Sequence, residues 1–238
     1  MTAGGTDIGT EIVLYYTGNY GNGEYWGHRN HQRIGVAVAN DPRGSWKRFD
    51  TPLIDVSLAG HDSLVTSNPS VAVTDEGKFV MIYKAVSNNG EFPRGGAVVC
   101  GIATADSPIG PFAKLDKPIM VNPEKEWSVE DAFIWYENGR FFSLAKDFQG
   151  YFTGEGQRHI ALFESADGFD WKLSDNPIGC FRGVTTEDGE RIELHYMERP
   201  QIYFEDGKPF VLLFACMLEA DLKTQSHSFN IRLQIDKE

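Results

Sequence analysis

The chain of 238 residues is short of cysteine, of positive charge and of long apolar runs, and each shortage removes a class of function. Cys100, Cys180 and Cys216 stand far apart with no Cys-x-x-Cys spacing, so neither a disulfide framework nor a cysteine zinc site is expected. Cys100 and Cys216 fall in apolar, strand-like stretches, where a thiol is normally an inert buried group. Lysine and arginine number 22 against 34 acids, a net charge of −12. That charge repels a phosphate backbone and an anionic membrane surface, so neither nucleic acid nor membrane is expected as a partner. The densest basic stretch, HRNHQR (His28 to Arg33), is short and half uncharged. No apolar run approaches the roughly 20 residues that cross a bilayer. No Gly-x-Ser-x-Gly elbow and no phosphate-loop lysine occur, which disfavours a serine hydrolase and a nucleotide-binding loop. GNYGNGEYWG (Gly18 to Gly27) therefore reads as a long connection or an active-site flap.

What is present is a repeat. RIGVAVANDPRGSWKRFDTPLI (Arg33 to Ile54) matches VCGIATADSPIGPFAKLDKPIM (Val99 to Met120), and HIALFESADGFDWKLSDNPIG (His159 to Gly179) is a looser copy. Small and β-branched residues alternate, a turn follows, and then an aromatic: Trp46, Phe112 or Trp171. Their recurrence in register points to packing between repeats. A second unit reads SNPSVAVTDEGKFVMIYKA (Ser67 to Ala85), VEDAFIWYENGRFFSLAKD (Val129 to Asp147) and ERPQIYFEDGKPFVLLFAC (Glu198 to Cys216). Each is a polar dyad, a strand, a Gly-containing turn and a second strand, the pattern of an antiparallel hairpin. Joining the two units gives four short strands every 60–65 residues or so, the signature of a β-propeller. The expectation is one all-β domain over 1–238, five-bladed when whole. GTEIVLYYTGN (Gly9 to Asn19) resembles the second strand of a hairpin without its first, so about three and a half blades are expected, with an N-terminal part missing. The start, MTAGGTDIGTEIVLYY, has no signal-peptide pattern. With a segment missing, localisation stays open, secretion and the periplasm included.

In a hairpin the start of the first strand and the end of the second share an edge. Asn68 should then lie near Lys84, Asp131 near Lys146 and Asp147, and Glu198 near Cys216. The innermost strands of a propeller run along its axis, so the dyads Ser67-Asn68, Glu130-Asp131 and Glu198-Arg199 should ring one mouth of the channel. Carboxylates facing each other across a cleft suit glycoside hydrolysis: one protonates the departing oxygen and another activates water or attacks the sugar. A neutral sugar suits a protein this acidic, and Tyr16, Trp26, Trp127 and Tyr151 are available for stacking. The competing reading is structural, since acids at strand starts often cap turns, and Arg199 equally suits an ion pair. His31, His159 and His195 show no metal-like spacing.

NPSVAVTDEGKFVMIYK, GIATADSPIGPF, VEDAFIWYENGRFFSLAKD and ERPQIYFEDGKPF together resemble the five-bladed propeller glycosidases related to glycoside hydrolase families 43, 32 and 117, from about Glu11 onward. The resemblance implies three acids on different blades. Asp131 would tune and orient the acid, and Glu198 would be the general acid. The base, an Asp on the first blade of such enzymes, has no counterpart; Asp7 lies upstream without a matching motif, and Ala132 stands where the pattern has Pro. RNHQRIGVA (Arg29 to Ala37) resembles a loop leading into a blade strand, which would let His31 and Arg33 line the pocket. Asn68, Glu130, Arg199, Lys84 and Lys146 complete the set of substrate-binding candidates. The expected function is O-glycosyl hydrolysis of a neutral oligo- or polysaccharide, with no cofactor, though the channel leaves room for a structural cation. Glycoside phosphorolysis, with Arg33, Lys84, Lys146 and Arg199 receiving phosphate, is the alternative enzyme. A non-catalytic sugar-binding propeller or inactive fragment is the third reading.

Overall fold

The computed structural model describes residues 11–218 and 229–234. Strands β1 (Ile12–Gly18), β2 (Arg33–Ala39) and β3 (Lys47–Arg48) form sheet I, with a short helix α1 (Tyr25–Asn30) between β1 and β2. Sheet II is β4 (Val65–Val73), β5 (Phe79–Val86), β6 (Val98–Ala105) and β7 (Ala113–Lys114) in chain order. Sheet III repeats it with β8 (Val129–Glu137), β9 (Arg140–Asp147), β10 (Ile160–Ser165) and β11 (Lys172–Cys180). A small hairpin, β12 (Gly183–Thr185) and β13 (Arg191–Glu193), precedes sheet IV: β14 (Tyr196–Glu205), β15 (Lys208–Met217) and β16 (Phe229–Gln234). Neighbouring strands within every sheet are antiparallel. The expected propeller of antiparallel blades is what the chain forms. Neither α1 nor the β12–β13 hairpin was anticipated.

The hairpins follow from turn chemistry. Asn138 and Gly139 join β8 to β9, and Asp206 and Gly207 join β14 to β15, all four with positive φ. Two such residues in succession make the tight turn whose twist matches the flanking strands. The sheets then stack through alternation. On β5, Val80 and Ile82 belong to the core shared with sheet III, while Met81, Tyr83 and Ala85 belong to the core shared with sheet I. Because both faces are covered, FVMIYKAV carries almost no polar residue. A third core joins Leu144 and Ile160 of sheet III to Met197, Phe214 and Cys216 of sheet IV.

Register matching shows which strand of the repeat β1 represents. Tyr16 on β1 faces Gly35 on β2, just as Tyr83 on β5 faces Gly101 on β6. A Cβ at either glycine would stand 2.4 Å from the tyrosine ring, so each ring lies on bare backbone. β1 therefore occupies the place of β5, and among the described residues no strand hydrogen-bonds to its other edge. Of the recurrent aromatics, Phe112 and Trp171 pack against the cores as expected. Trp46 instead folds over its own turn, its indole N–H on the Pro42 carbonyl at 3.3 Å.

Candidate active site

β4, β8 and β14 each carry a break in register, between Ser67 and Ser70, Glu130 and Phe133, and Glu198 and Gln201. Such a bulge inserts residues without a partner and re-aims a side chain. The residue following the first of each trio has a left-handed backbone: Asn68 at φ 50, Asp131 at φ 57 and Arg199 at φ 54. None is glycine, and a non-glycine residue in this region carries strain that concentrates at functional sites. The same device is thus built three times, and it turns three side chains toward one another. The Asn68 amide donates to Asp131 Oδ1 at 2.5 Å. Arg199 Nη1 lies 3.5 Å from Asn68 Oδ1 and 3.9 Å from Asp131 Oδ1.

Before each bulge, the register sets Ser67 opposite Lys84, Glu130 opposite Lys146 and Glu198 opposite Ala215. In the first two the pairing is one residue earlier than the hairpin reading expects, because the bulge consumes a position; in the third a second irregularity between Tyr203 and Phe204 offsets the bulge, and Cys216 pairs with Met197. Lys84 reaches across from sheet II to bond Glu130 of sheet III. Lys146 donates to Glu130 Oε2 at 3.0 Å and to Glu198 Oε1 at 2.5 Å, and stands 4.0 Å from Asp131 Oδ2. The nearest oxygens of Asp131 and Glu198 are therefore no farther apart than the sum of 4.0 and 2.5 Å. The distant acids do share one environment.

Exposure divides their roles. The side chains of Asp131 and Lys146 are only 3% and 4% exposed, whereas that of Glu198 is 28% exposed. Burial raises the Asp131 carboxyl, the Glu130 charge adds to it, and Lys146 and Arg199 oppose, leaving it at about 6. Burial works the same way on Glu130, but Lys84 and Lys146 outweigh it and hold that carboxyl well below its usual range. Burial lowers the Lys146 ammonium, but Glu130, Asp131 and Glu198 outweigh it and leave it raised to about 12. Two adjacent carboxyls are thus pushed apart, the arrangement that acid–base chemistry uses.

The remaining candidates are elsewhere. His31 ends α1 with its Nδ1 2.7 Å from the Gly27 carbonyl oxygen and its ring edge-on to Tyr20. Arg33 is bound to Asp55 at 2.7 Å and to the carbonyls of Asn30, Gln32 and Leu64, so it clamps loops together. Neither side chain has a contact with the carboxylate cluster. Asp147, expected beside Asp131, is fully buried and instead accepts bonds from the backbone of Gln149, Gly150, Phe152 and Thr153, holding the β9–β10 loop. Asp7 lies outside the described residues. Among the described residues no group of three or more His, Cys, Asp or Glu is arranged to hold a metal ion, and no helix is long and apolar enough to cross a membrane.

No protein-family model matches the chain, and no curated protein matches it in sequence. Solved structures do. A glycoside hydrolase aligns over 96% of this chain and 64% of its own, with 14% identity and a TM-score of 0.68. The endo-arabinase from Bacteroides thetaiotaomicron aligns over 95% and 71%, with 17% identity and a TM-score of 0.63. Fructan 1-exohydrolase IIa from Cichorium intybus aligns over 95% and 40%, also with 17% identity and a TM-score of 0.63. The chain has the fold of the propeller glycosidases. It spans less than two thirds of the first of these structures. Within this propeller the residues that sequence reading missed are Arg29 and Phe148. Arg29 is buried in α1, and burial lowers its guanidinium, opposed only in part by Tyr25 and then by Glu130. Phe148 underlies Lys146, its ring centre 4.6 Å from the ammonium. No spacing in the sequence marks either.

Proposed function

We propose that the chain is a glycoside hydrolase acting on a neutral oligo- or polysaccharide, with Glu198 as its general acid and Asp131 as the carboxyl that tunes and orients it. The observation that carries this is the meeting of Glu130, Asp131 and Glu198 around the single ammonium of Lys146. Glu198 is the carboxyl that a substrate reaches, so it is the one to protonate the departing glycosidic oxygen. Asp131 lies behind it, fixed by Asn68, and supplies the negative charge and hydrogen-bonded frame that orient the acid. Glu130, saturated by two lysines, keeps Lys146 in place. The base that activates water is not among these residues.

Phosphorolysis fits less well. Lys84 and Lys146 are committed to carboxylates and Arg33 to Asp55, which leaves only Arg199 to receive an anion. The decisive test is a screen of aryl glycosides with wild type, Asp131→Asn and Glu198→Gln. Each substitution should lower the rate by about 100-fold or more, in line with the contribution of general acid catalysis. Rates untouched by both would remove these carboxyls from the mechanism, and sugar phosphate formed only when phosphate is added would replace hydrolysis by phosphorolysis.

A further inference from the structure

Two arginines meet at one end of sheet III, apart from the carboxylate cluster. Arg158 stands just before β10, and Arg182 lies just beyond the end of β11. Ile160 pairs with both Lys146 and Cys180, so both arginines are at the end of the sheet that carries Lys146. Their side chains close on His195, which precedes β14. Arg158 Nη1 donates to His195 Nε2 at 2.9 Å, and Arg182 Nη1 donates to the His195 carbonyl at 3.3 Å. The Arg158 guanidinium also lies 4.6 Å from the centre of the Tyr196 ring. The backbones are fixed as well. The Arg158 N–H donates to the Asp147 carbonyl at 2.6 Å from a left-handed conformation, φ 67. The Arg182 N–H donates to His159 Nδ1 at 2.8 Å, and His159 Nε2 bonds the Glu155 carbonyl at 3.0 Å. One ring nitrogen accepts and the other donates, so His159 is a neutral brace and not a third cation.

The pair lacks a counter-charge. The chain holds 34 acids against 22 lysines and arginines, yet neither guanidinium has a carboxylate partner among the described residues. Glu193, whose charge Arg182 feels, is bound by Arg191 at 2.8 Å. Arg182 Nε is buried and has no hydrogen-bond partner. A charged donor removed from water without an acceptor is unfavourable, and two like charges gathered on one histidine repel. An anion seated on both removes each cost at once. Guanidinium forks match the paired oxygens of a carboxylate, sulfate or phosphate, and stacking on Tyr196 holds one fork in a fixed plane. The left-handed backbone of Arg158, a non-glycine residue, is strain of the kind that collects at binding sites.

We propose that Arg158 and Arg182 form a binding site for an oxyanion, either a free inorganic ion or the acidic group of a small molecule. The two are not among the four cations weighed for phosphorolysis, and the site does not depend on the glycosidase reading. The test is isothermal titration calorimetry of the full chain with sulfate, phosphate or glucuronate. Ionic strength is held constant with chloride, and glucose is the uncharged comparison. At least one oxyanion should bind at one site per chain. Arg158→Gln and Arg182→Gln should each weaken it about tenfold or more, while Arg199→Gln leaves it unchanged. Arg158→Lys keeps the charge but not the fork and should recover only part of the affinity. Sulfate or phosphate bound more tightly than glucuronate upholds the site and marks an inorganic ion. Glucuronate bound more tightly upholds it and marks an acidic group carried by a sugar. No binding by any of the three, or affinity unchanged in both glutamine variants, overturns the proposal. Affinity lost only in Arg199→Gln overturns it in favour of the carboxylate cluster. Circular dichroism checks the fold of each variant; if a glutamine variant unfolds, Arg158→Lys decides, and affinity equal to wild type overturns the proposal.

Discussion

Sheets III and IV carry the same bulge near the start of the inner strand and differ in what stands opposite it. Each carries near the start of its inner strand a glutamate followed by a left-handed bulge residue, Glu130-Asp131 and Glu198-Arg199. Opposite Glu130 stands Lys146; opposite Glu198 stands Ala215. Glu130 is therefore enclosed by cations, while Glu198, among the described residues, takes its ion-pair partner from the neighbouring sheet and stays partly open. Repetition supplies the place, and departure from repetition leaves one glutamate open to solvent.

The comparison breaks most visibly at Lys146. Lys146→Met leaves three carboxylates without their shared ammonium, and removing one partner of a buried ion pair costs about 3–5 kcal/mol. Urea unfolding should show a loss of that size. Lys84→Met removes a lysine that serves Glu130 alone and should cost less, about 1–3 kcal/mol. Equal losses would mean that Lys146 is not a hub.

Asp131 sharpens the comparison through pH. Its carboxyl rises from an ordinary 3.8 to about 6 in the folded protein. The folded state thus holds a proton that the unfolded state has released, and stability falls as pH rises through that window. Asp131→Asn removes the effect, so its melting temperature relative to wild type should climb from about pH 4 to about pH 6 and level off above that. Glu130 works in the other direction, because its folded carboxyl is lowered: its contribution is present above the ordinary carboxylate range and fades in acid. A constant difference between Asp131→Asn and wild type would show that Asp131 is not raised. The smallest effect belongs to Arg199→Gly. The side chain is 59% exposed, so relief of its left-handed backbone should raise stability by up to about 1 kcal/mol.

The blades were legible because their turns and alternation are local. Asn138-Gly139 and Asp206-Gly207 announce hairpins, and the period-two pattern of β5 sorts its side chains between two cores without reference to anything distant. The dyads were legible as a set because equal positions in equal repeats must share a rim. The bulges were not, since no turn residue marks them, and in β4 and β8 they shift the pairing by one, so that Ser67 rather than Asn68 faces Lys84 and Glu130 rather than Asp131 faces Lys146. His31 and Arg33 were drawn toward the pocket by resemblance of a loop, yet Asp55 and nearby carbonyls satisfy Arg33 first. The contacts of α1 with the β5–β6 loop depend on side chains 63 and 65 residues apart, beyond any local pattern.

The left-handed position near the start of each inner strand has a last consequence. It already accommodates an amide, a carboxylate and a guanidinium at nearly the same backbone angle. A socket that tolerates three chemistries without disturbing its sheet is a natural place to retune what the mouth of the channel accepts, one exchange at a time.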